Sequence, residues 1–279
     1  MENRIITQCI LQQYKDNLTI EEKSAATAEK YCRDIHAFSV FIGDATVTKE
    51  AVIAWKQHLV DNGYAVRSIN SMLASLNSFF AFLGWSDLRA KSIKLQRQIY
   101  SREEKELTKA EYLRLVDAAA KQPRLQLILK TICATGIRVS ELKFFTLEAV
   151  RQGEITVNCK GKTRTILLPG NLRKLLIRYA GKAGITSGVI FCTRSGKALD
   201  RSNIWAMMKK LCEKAGVAAT KVFPHNLRKL FARTFYGIEK DIAKLADILG
   251  HSSINTTRIY IMSTGRDHRR LIERLGLVV

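Results

Sequence analysis

One stretch of this chain alternates apolar and polar residues, whereas most of the rest repeats its apolar residues every three or four positions. The stretch is "GEITVNCKGKTRTILLP", residues 153–169, and it alternates on both sides of Lys160-Gly161-Lys162-Thr163. That pattern predicts a β-hairpin with a basic tip. Helices must supply the remaining architecture, so the expected fold is mainly α with a small β-hairpin.

The helical periodicity is clearest near the start. "TAEKYCRDIHAFSVFIG" sets Tyr31, Ile35, Phe38 and Ile42 on one face. "TKEAVIAWKQHLVDNG" does the same with Val52, Trp55 and Leu59, opens on a candidate N-cap at Thr48 and stops at Asn62-Gly63. "VRSINSMLASLNSFFAFLG" continues with Ile69, Leu73, Leu76, Phe80 and Leu83. Three or four such helices predict a small helical domain over residues 1–88. Residues 89–102 then carry five basic residues and no acid. This suits a solvated linker, or one that follows a DNA backbone, over residues 89–106.

A second domain, residues 107–279, starts where Thr108 and Glu111 can form a capping box. "LQLILKTICATGIRVSELKFF" predicts a mostly buried helix interrupted at Gly136, and beyond the hairpin the chain is again helical. Two domains of ordinary size fit 279 residues.

Charge separates the two parts. The formal net charge is +21; residues 1–106 hold 14 Lys/Arg against 13 Asp/Glu, and residues 107–279 hold 32 against 12. An excess of about twenty positive charges in one domain calls for a polyanion, and nucleic acid comes first because neutralising phosphates releases counterions. Ribosomal or anionic-membrane association is the plainer alternative. No apolar run approaches the roughly 20 residues of a membrane helix. The N-terminus has no signal-peptide pattern, so a cytoplasmic, nucleoid-associated protein is expected. Six scattered cysteines without a C-x-x-C pair suggest reduced structural thiols and no zinc site.

The basic half also carries side chains suited to phosphate chemistry. Arg138 follows Gly136-Ile137, and an arginine fork can give a phosphate two parallel charge-assisted hydrogen bonds. "HNLR" puts His225 and Arg228 on one face of a helix that begins after Pro224. His251 and Tyr260 lie nine apart in "GHSSINTTRIY", and the hairpin tip offers Lys160 or Lys162. Singly each has an ordinary explanation: Arg138 as a surface charge paired with Glu141, the lysines as turn residues, Tyr260 as core. The combination is what carries weight.

That combination resembles the tyrosine recombinase (phage integrase) family. "ATGIRVSEL", "KGKTRTILLP", "HNLRKLFART" and "LGHSSINTTRIY" occur in the family's order. The helical first domain is similar to the family's SAM-like core-binding domain, and the layout is closest to short, two-domain Xer-like members. The second domain would then be the mixed α+β catalytic domain.

The resemblance implies a site-specific recombinase acting on double-stranded DNA without cofactor or metal. Tyr260 would attack a phosphodiester, form a 3′-phosphotyrosine and release a 5′-hydroxyl. Arg138 and Arg228 would clamp the phosphate, His251 would donate a further hydrogen bond, and His225 would take the tyrosine proton. A hairpin lysine, Lys160 by its distance from Arg138 or else Lys162, would be the general acid. The resemblance further implies four protomers on two DNA sites, with the apolar tail Leu275 to Val279 docking on a neighbour; the alternative is that the tail folds back on its own domain. Lys229 and Leu230 stand where many relatives carry His and Thr. DNA relaxation of the type IB topoisomerase kind shares this chemistry, and a silent DNA-binding protein on the same fold is the rival from another class.

Overall fold

The computed structural model describes residues 4–95, 103–159, 162–193, 195–262, 269–270 and 272–275; for Glu103, Cys159 and Lys162 it describes the backbone alone. Lys160, residues 96–102 of the basic stretch and the last four residues of the apolar tail lie outside the described residues. The chain divides into two compact units, Met1–Arg97 and Gln98–Val279.

Among the described residues the first unit contains four α-helices, α1 (Gln8–Ile20), α2 (Ala25–Ile42), α3 (Lys49–Asp61) and α4 (Val66–Phe82), and a 3₁₀ turn at Ser86–Leu88. Hydroxyls of Thr7, Ser24 and Thr48 each accept a backbone N–H at the starts of α1, α2 and α3. Such a cap is worth about 1 kcal/mol. Each helix sends its apolar face to one core, where Ile35, Phe38, Leu59, Ile69, Leu73 and Phe79 are fully buried. Tyr14 joins them, its hydroxyl 2.8 Å from Ser78 Oγ, and burial pushes its pKa up to about 12.

The basic segment begins as part of this unit. Asn70 and Asn77, seven apart on one face of α4, each exchange two hydrogen bonds with the backbone of Ile93 and Ala90 at 2.7–3.0 Å. Lys49 and Lys56, seven apart on α3, donate to the carbonyls of Arg89 and Lys91. Two helices thus hold an extended strap by side chains on matching turns.

The second unit is built around α6 (Pro123–Thr135), whose Leu125, Ile128, Leu129 and Ile132 are at most 1% exposed. Before it comes α5 (Lys109–Ala118), which opens on the expected Thr108–Glu111 capping box. After it come α7 (Leu147–Gln152), β1 (Glu154–Cys159), β2 (Lys162–Leu167) and α8 (Gly170–Lys182). The two strands pair antiparallel from Glu154↔Leu167 to Cys159↔Lys162, and Ile155, Val157 and Ile166 face the core. Then follow α9 (Arg201–Lys209), α10 (Cys212–Ala215), α11 (Pro224–Glu239), α12 (Ile242–Leu249) and α13 (Ile254–Ile261). Among the described residues the fold is mostly helical with one two-stranded sheet, as the pattern predicted.

The end of α6 is set by Gly136, at φ +64. Any Cβ there would also lie 2.3 Å from the Phe231 ring of α11, so a side chain is excluded both by conformation and by the neighbouring helix. Residues 139–144 then form a 3₁₀ turn. At the unit's beginning, Asn226 donates to Lys105 O, and Glu106 pairs with Lys229 and Arg233, all on α11. Among the described residues no helix is long and apolar enough to cross a membrane, and five cysteines are unpaired thiols.

Candidate active site

Four segments far apart in sequence meet at the C-terminal end of α12. Its last carbonyls need partners, because the final turn of a helix leaves them without intrahelical donors. Three arginines supply them: Arg164 donates to Ile248 O, Arg228 to Leu249 O at 2.6 Å, and Arg138 to Gly250 O at 3.1 Å. Arg228 also donates to Gly136 O at 2.5 Å, the end of α6. The negative ends of two helix dipoles therefore face one guanidinium. This is how Arg228, 1% exposed, remains charged without a carboxylate in direct contact. Burial, and next the charge of Arg138, lowers its pKa to about 10, so it is still a cation at neutral pH. Its Nε–H finds no acceptor among the described residues.

A single carboxylate completes the cluster. Glu141, 1% exposed, accepts from Arg138 N at 2.7 Å and Nη1 at 3.0 Å, and from Arg164 Nη2 at 2.6 Å. Three guanidiniums against one carboxylate leave a local excess of positive charge, preorganised before any substrate arrives.

The two histidines flank Tyr260. Pro224 at the first turn of α11 leads directly to His225, and Arg228 lies one turn further along. The Tyr260 ring centroid is 4.9 Å from each imidazole and 5.8 Å from the Arg228 guanidinium carbon. Its hydroxyl is 3.3 Å from His225 Nδ1. Burial, followed by the charges of Lys229, Arg228 and Arg138, brings the His225 pKa down to about 4. The neutral ring offers Nδ1 as an acceptor for the tyrosine O–H, the geometry of a general base.

His251 is likewise held near 4, by burial first and then by Arg228, Arg138 and Arg164. Its Nε2 lies 3.0 Å from Arg228 Nη2, and its Nδ1 lies 2.9 Å from Thr257 Oγ1. Arginine can only donate, so Nε2 accepts and the ring proton sits on Nδ1, toward Thr257. In the free protein His251 therefore orients Arg228. Donation to a phosphate from Nε2 requires a proton on that nitrogen, either by a change of tautomer, with Thr257 Oγ1 then donating to Nδ1, or by protonation of the ring.

The polar run between His251 and Tyr260 thereby gains a purpose. Ser253 caps α13, and Thr257, fully buried, holds His251 from the turn below Tyr260. The arrangement thus brings together Arg138, His225, Arg228, His251 and Tyr260. Glu141, seen from sequence only as a neighbour of Arg138, proves to be its anchor; Arg164 and Thr257 were not singled out. Thr257 had a signal in its i, i+3 spacing to Tyr260, but Arg164 had none beyond a place in an alternating strand.

A cavity of about 540 Å³ opens beside the cluster, between Arg138, His225 and Arg228 on one side and Arg201, Ser202 and Trp205 of α9 on the other. Among the described residues no His, Cys, Asp or Glu cluster could hold a metal ion.

The depressed histidines make stability depend on pH. Unfolded histidines bind protons near pH 6.5 and these two only near 4, so between those values the unfolded chain holds more protons. This stabilisation is complete above about pH 6.5 and is lost as pH falls toward 4. The expected result is a melting temperature that drops between pH 6.5 and 5, before most carboxylates titrate. In a His225→Asn, His251→Asn double variant the drop should be smaller. His225 keeps contact with solvent, so screening limits the size of the effect but not its sign. A flat profile across that window in the parent protein would contradict this electrostatic account.

Comparison with known proteins agrees with this architecture. Residues 105–266 match the model of the phage integrase family, and residues 11–87 match the phage integrase N-terminal SAM-like domain. Tyrosine recombinase XerA of Pyrococcus furiosus is 28% identical over 289 residues, spanning 100% of this chain and 98% of the relative. A crystal structure of XerA recombinase superposes with a TM-score of 0.55 at 25% identity, covering 96% of this chain and 98% of that one. A lambda integrase tetramer bound to a Holliday junction gives a TM-score of 0.74 at 19% identity, over 93% and 78% of the respective chains, a likeness of fold. The chain belongs to the phage integrase family, the tyrosine recombinases.

Proposed function

We propose that this protein is a site-specific DNA recombinase that cuts and rejoins duplex DNA through a phosphotyrosine at Tyr260. The observation that carries the assignment is the convergence of Tyr260, two histidines and the arginine cluster at one helix end, in a chain of this family.

In the first step the Tyr260 Oη–P bond forms as the P–O5′ bond breaks. His225 Nδ1 accepts the tyrosine proton. A phosphate beside Arg138, Arg228 and Arg201 would offset the charges that depress the histidines, raising their pKa values from about 4 toward the range useful for proton transfer. With Arg228 turned to the phosphate, His251 can donate from Nε2, as the tautomer whose Nδ1 accepts from Thr257 or as the protonated ring. Arg138 and Arg228 offset the charge that grows on the non-bridging oxygens. Lys160, or else Lys162, protonates the leaving 5′-oxygen. Because the phosphotyrosine conserves the bond, a second 5′-hydroxyl can reverse the attack without an energy source.

The excess of basic residues after position 106 supports binding by this unit along the phosphate backbone, in the cytoplasm where bacterial-type DNA lies. Exchange between two sites needs four active subunits, and the tetrameric assembly of the lambda integrase structure supports that stoichiometry here. The direct test uses a duplex nicked just past the scissile phosphate, so that the cleaved fragment diffuses away. A recombinase accumulates as a denaturant-resistant adduct on it, and a silent DNA-binding protein gives only dissociable complexes.

A further inference from the structure

We propose that the exposed face of α8 is a second DNA-binding surface, which takes the phosphate backbone of a duplex other than the one at Tyr260. The proposal goes beyond the recombinase reading above and rests on it only for its purpose, since strand exchange needs two duplexes at once. Between Glu154 and Asp200 the chain has nine Lys/Arg and no acid. Part of that excess is used internally: Arg164 is held by Glu141, and Arg173 donates to Arg151 O. Three others, Lys174, Arg178 and Lys182, are exposed on α8 and make no ion pair or side-chain hydrogen bond with any described residue.

Their spacing makes them one surface. α8 buries Leu172, Leu176 and Ala180 at four-residue steps. The three cations repeat at the same interval two residues later, about 200° round the helix, so they form a ridge on its outer face. Like charges at i, i+4 destabilise a helix, and a solvated face ordinarily mixes them with acids. The helix dipole favours Lys182 in the last turn but neither of the other two. A polyanion lying along the ridge removes the repulsion. No large apolar side chain of α8 is exposed, whereas a helix that lies on a membrane inserts an apolar face. A duplex carries one phosphate charge per ~1.7 Å of its axis and needs no apolar contact.

The ridge is also set apart from the catalytic cluster. Arg124, in the first turn of α6, donates to Cys192 O at 2.7 Å. Burial raises the pKa of Tyr179 on α8, and the Arg124 charge opposes the rise, so the second half of α8 lies beside the start of α6. Arg228 and its partners gather at the other end of α6, at Gly136, about 18 Å further along the axis.

Native mass spectrometry of the full chain with excess short duplex of random sequence counts the duplexes held by each chain. The parent should hold two, the second more weakly. The second affinity should fall with log salt at a slope of about −2.7, three phosphates at about −0.9 each. The combined Lys174→Ala, Arg178→Ala, Lys182→Ala variant should hold one, with the first dissociation constant within about threefold of the parent. Alanine suits an exposed helix face, so its melting temperature should stay close to the parental one. A control with Lys15→Ala, Lys23→Ala and Lys121→Ala loses three exposed charges elsewhere and should still hold two. The proposal is overturned if the parent holds a single duplex, if the α8 variant keeps the second, or if its first duplex weakens as much, since the ridge then serves the duplex at Tyr260. A parent that takes one duplex but binds polyaspartate through these residues has an acidic-protein surface there, and the proposal again falls. The count makes no use of Tyr260 chemistry, so it is separable from the adduct test. An adduct with one duplex per chain sinks the ridge and spares the recombinase reading; two duplexes per chain without an adduct do the reverse.

Discussion

Tyr260→Phe should abolish the covalent protein–DNA adduct while leaving the fold and DNA affinity nearly unchanged. The variant keeps the ring, and with it the contacts to His225, His251 and Arg228. Only the hydroxyl is lost, together with one part-buried hydrogen bond to His225 Nδ1. A bond of this kind contributes about 0.5–1.5 kcal/mol net, so the melting temperature should shift by a few degrees at most. Chemistry is another matter, because no neighbouring group can supply an oxygen at the same place. Denaturing gels of the nicked-duplex reaction should show no retained protein with the Phe variant, while native gels show undiminished binding. The chain has eight tyrosines, so an adduct that persists in Tyr260→Phe would place the nucleophile elsewhere.

How far the sequence alone could lead depended on the range of the interaction. Local features were legible: the apolar stripes of α2, α3 and α4, the caps at Thr48 and Thr108, the stop at Gly136 and the presence of the hairpin all follow from neighbours within a turn or two, although Lys162 and Thr163, read as part of its tip, are paired in β2. The grouping of Arg138, His225, Arg228, His251 and Tyr260 was suggested by family-like motifs, not by any pattern within one segment. What stayed hidden is what joins segments. Nothing near Arg228 announces that it will close the ends of two helices, since its acceptors are the backbone carbonyls of Gly136 and Leu249. Backbone carbonyls carry no sequence signature. For the same reason the asparagine pair that holds the strap at 90–93 read only as polar positions on α4. The direction of the His251 hydrogen bonds was also beyond reach, because it depends on Thr257 and Arg228 approaching from opposite sides.

Arg138→Ala and Arg228→Ala should each slow cleavage by at least ~10²-fold, the scale for losing one preorganised donor to a transition state. Their effects on stability should diverge, because their surroundings do. The Arg138 side chain is 39% exposed; without it, Glu141 still pairs with Arg164, and solvent lies close at hand. That variant should melt close to the parent. Arg228 is buried, and its removal leaves Gly136 O, Leu249 O and His251 Nε2 without their donor. An unsatisfied buried acceptor costs about 1–3 kcal/mol, so Arg228→Ala should melt several degrees lower. Arg228→Lys tests whether charge or geometry matters. A single ammonium on a flexible stem cannot bridge the ends of two helices while also facing a phosphate, so it should recover little of the rate. Single-turnover cleavage at saturating DNA, measured well below each variant's melting point, separates the kinetic loss from the folding loss. A lysine variant that cleaves at nearly the parental rate would show that positive charge alone suffices, and that the two-helix anchor of Arg228 serves folding without serving the transition state.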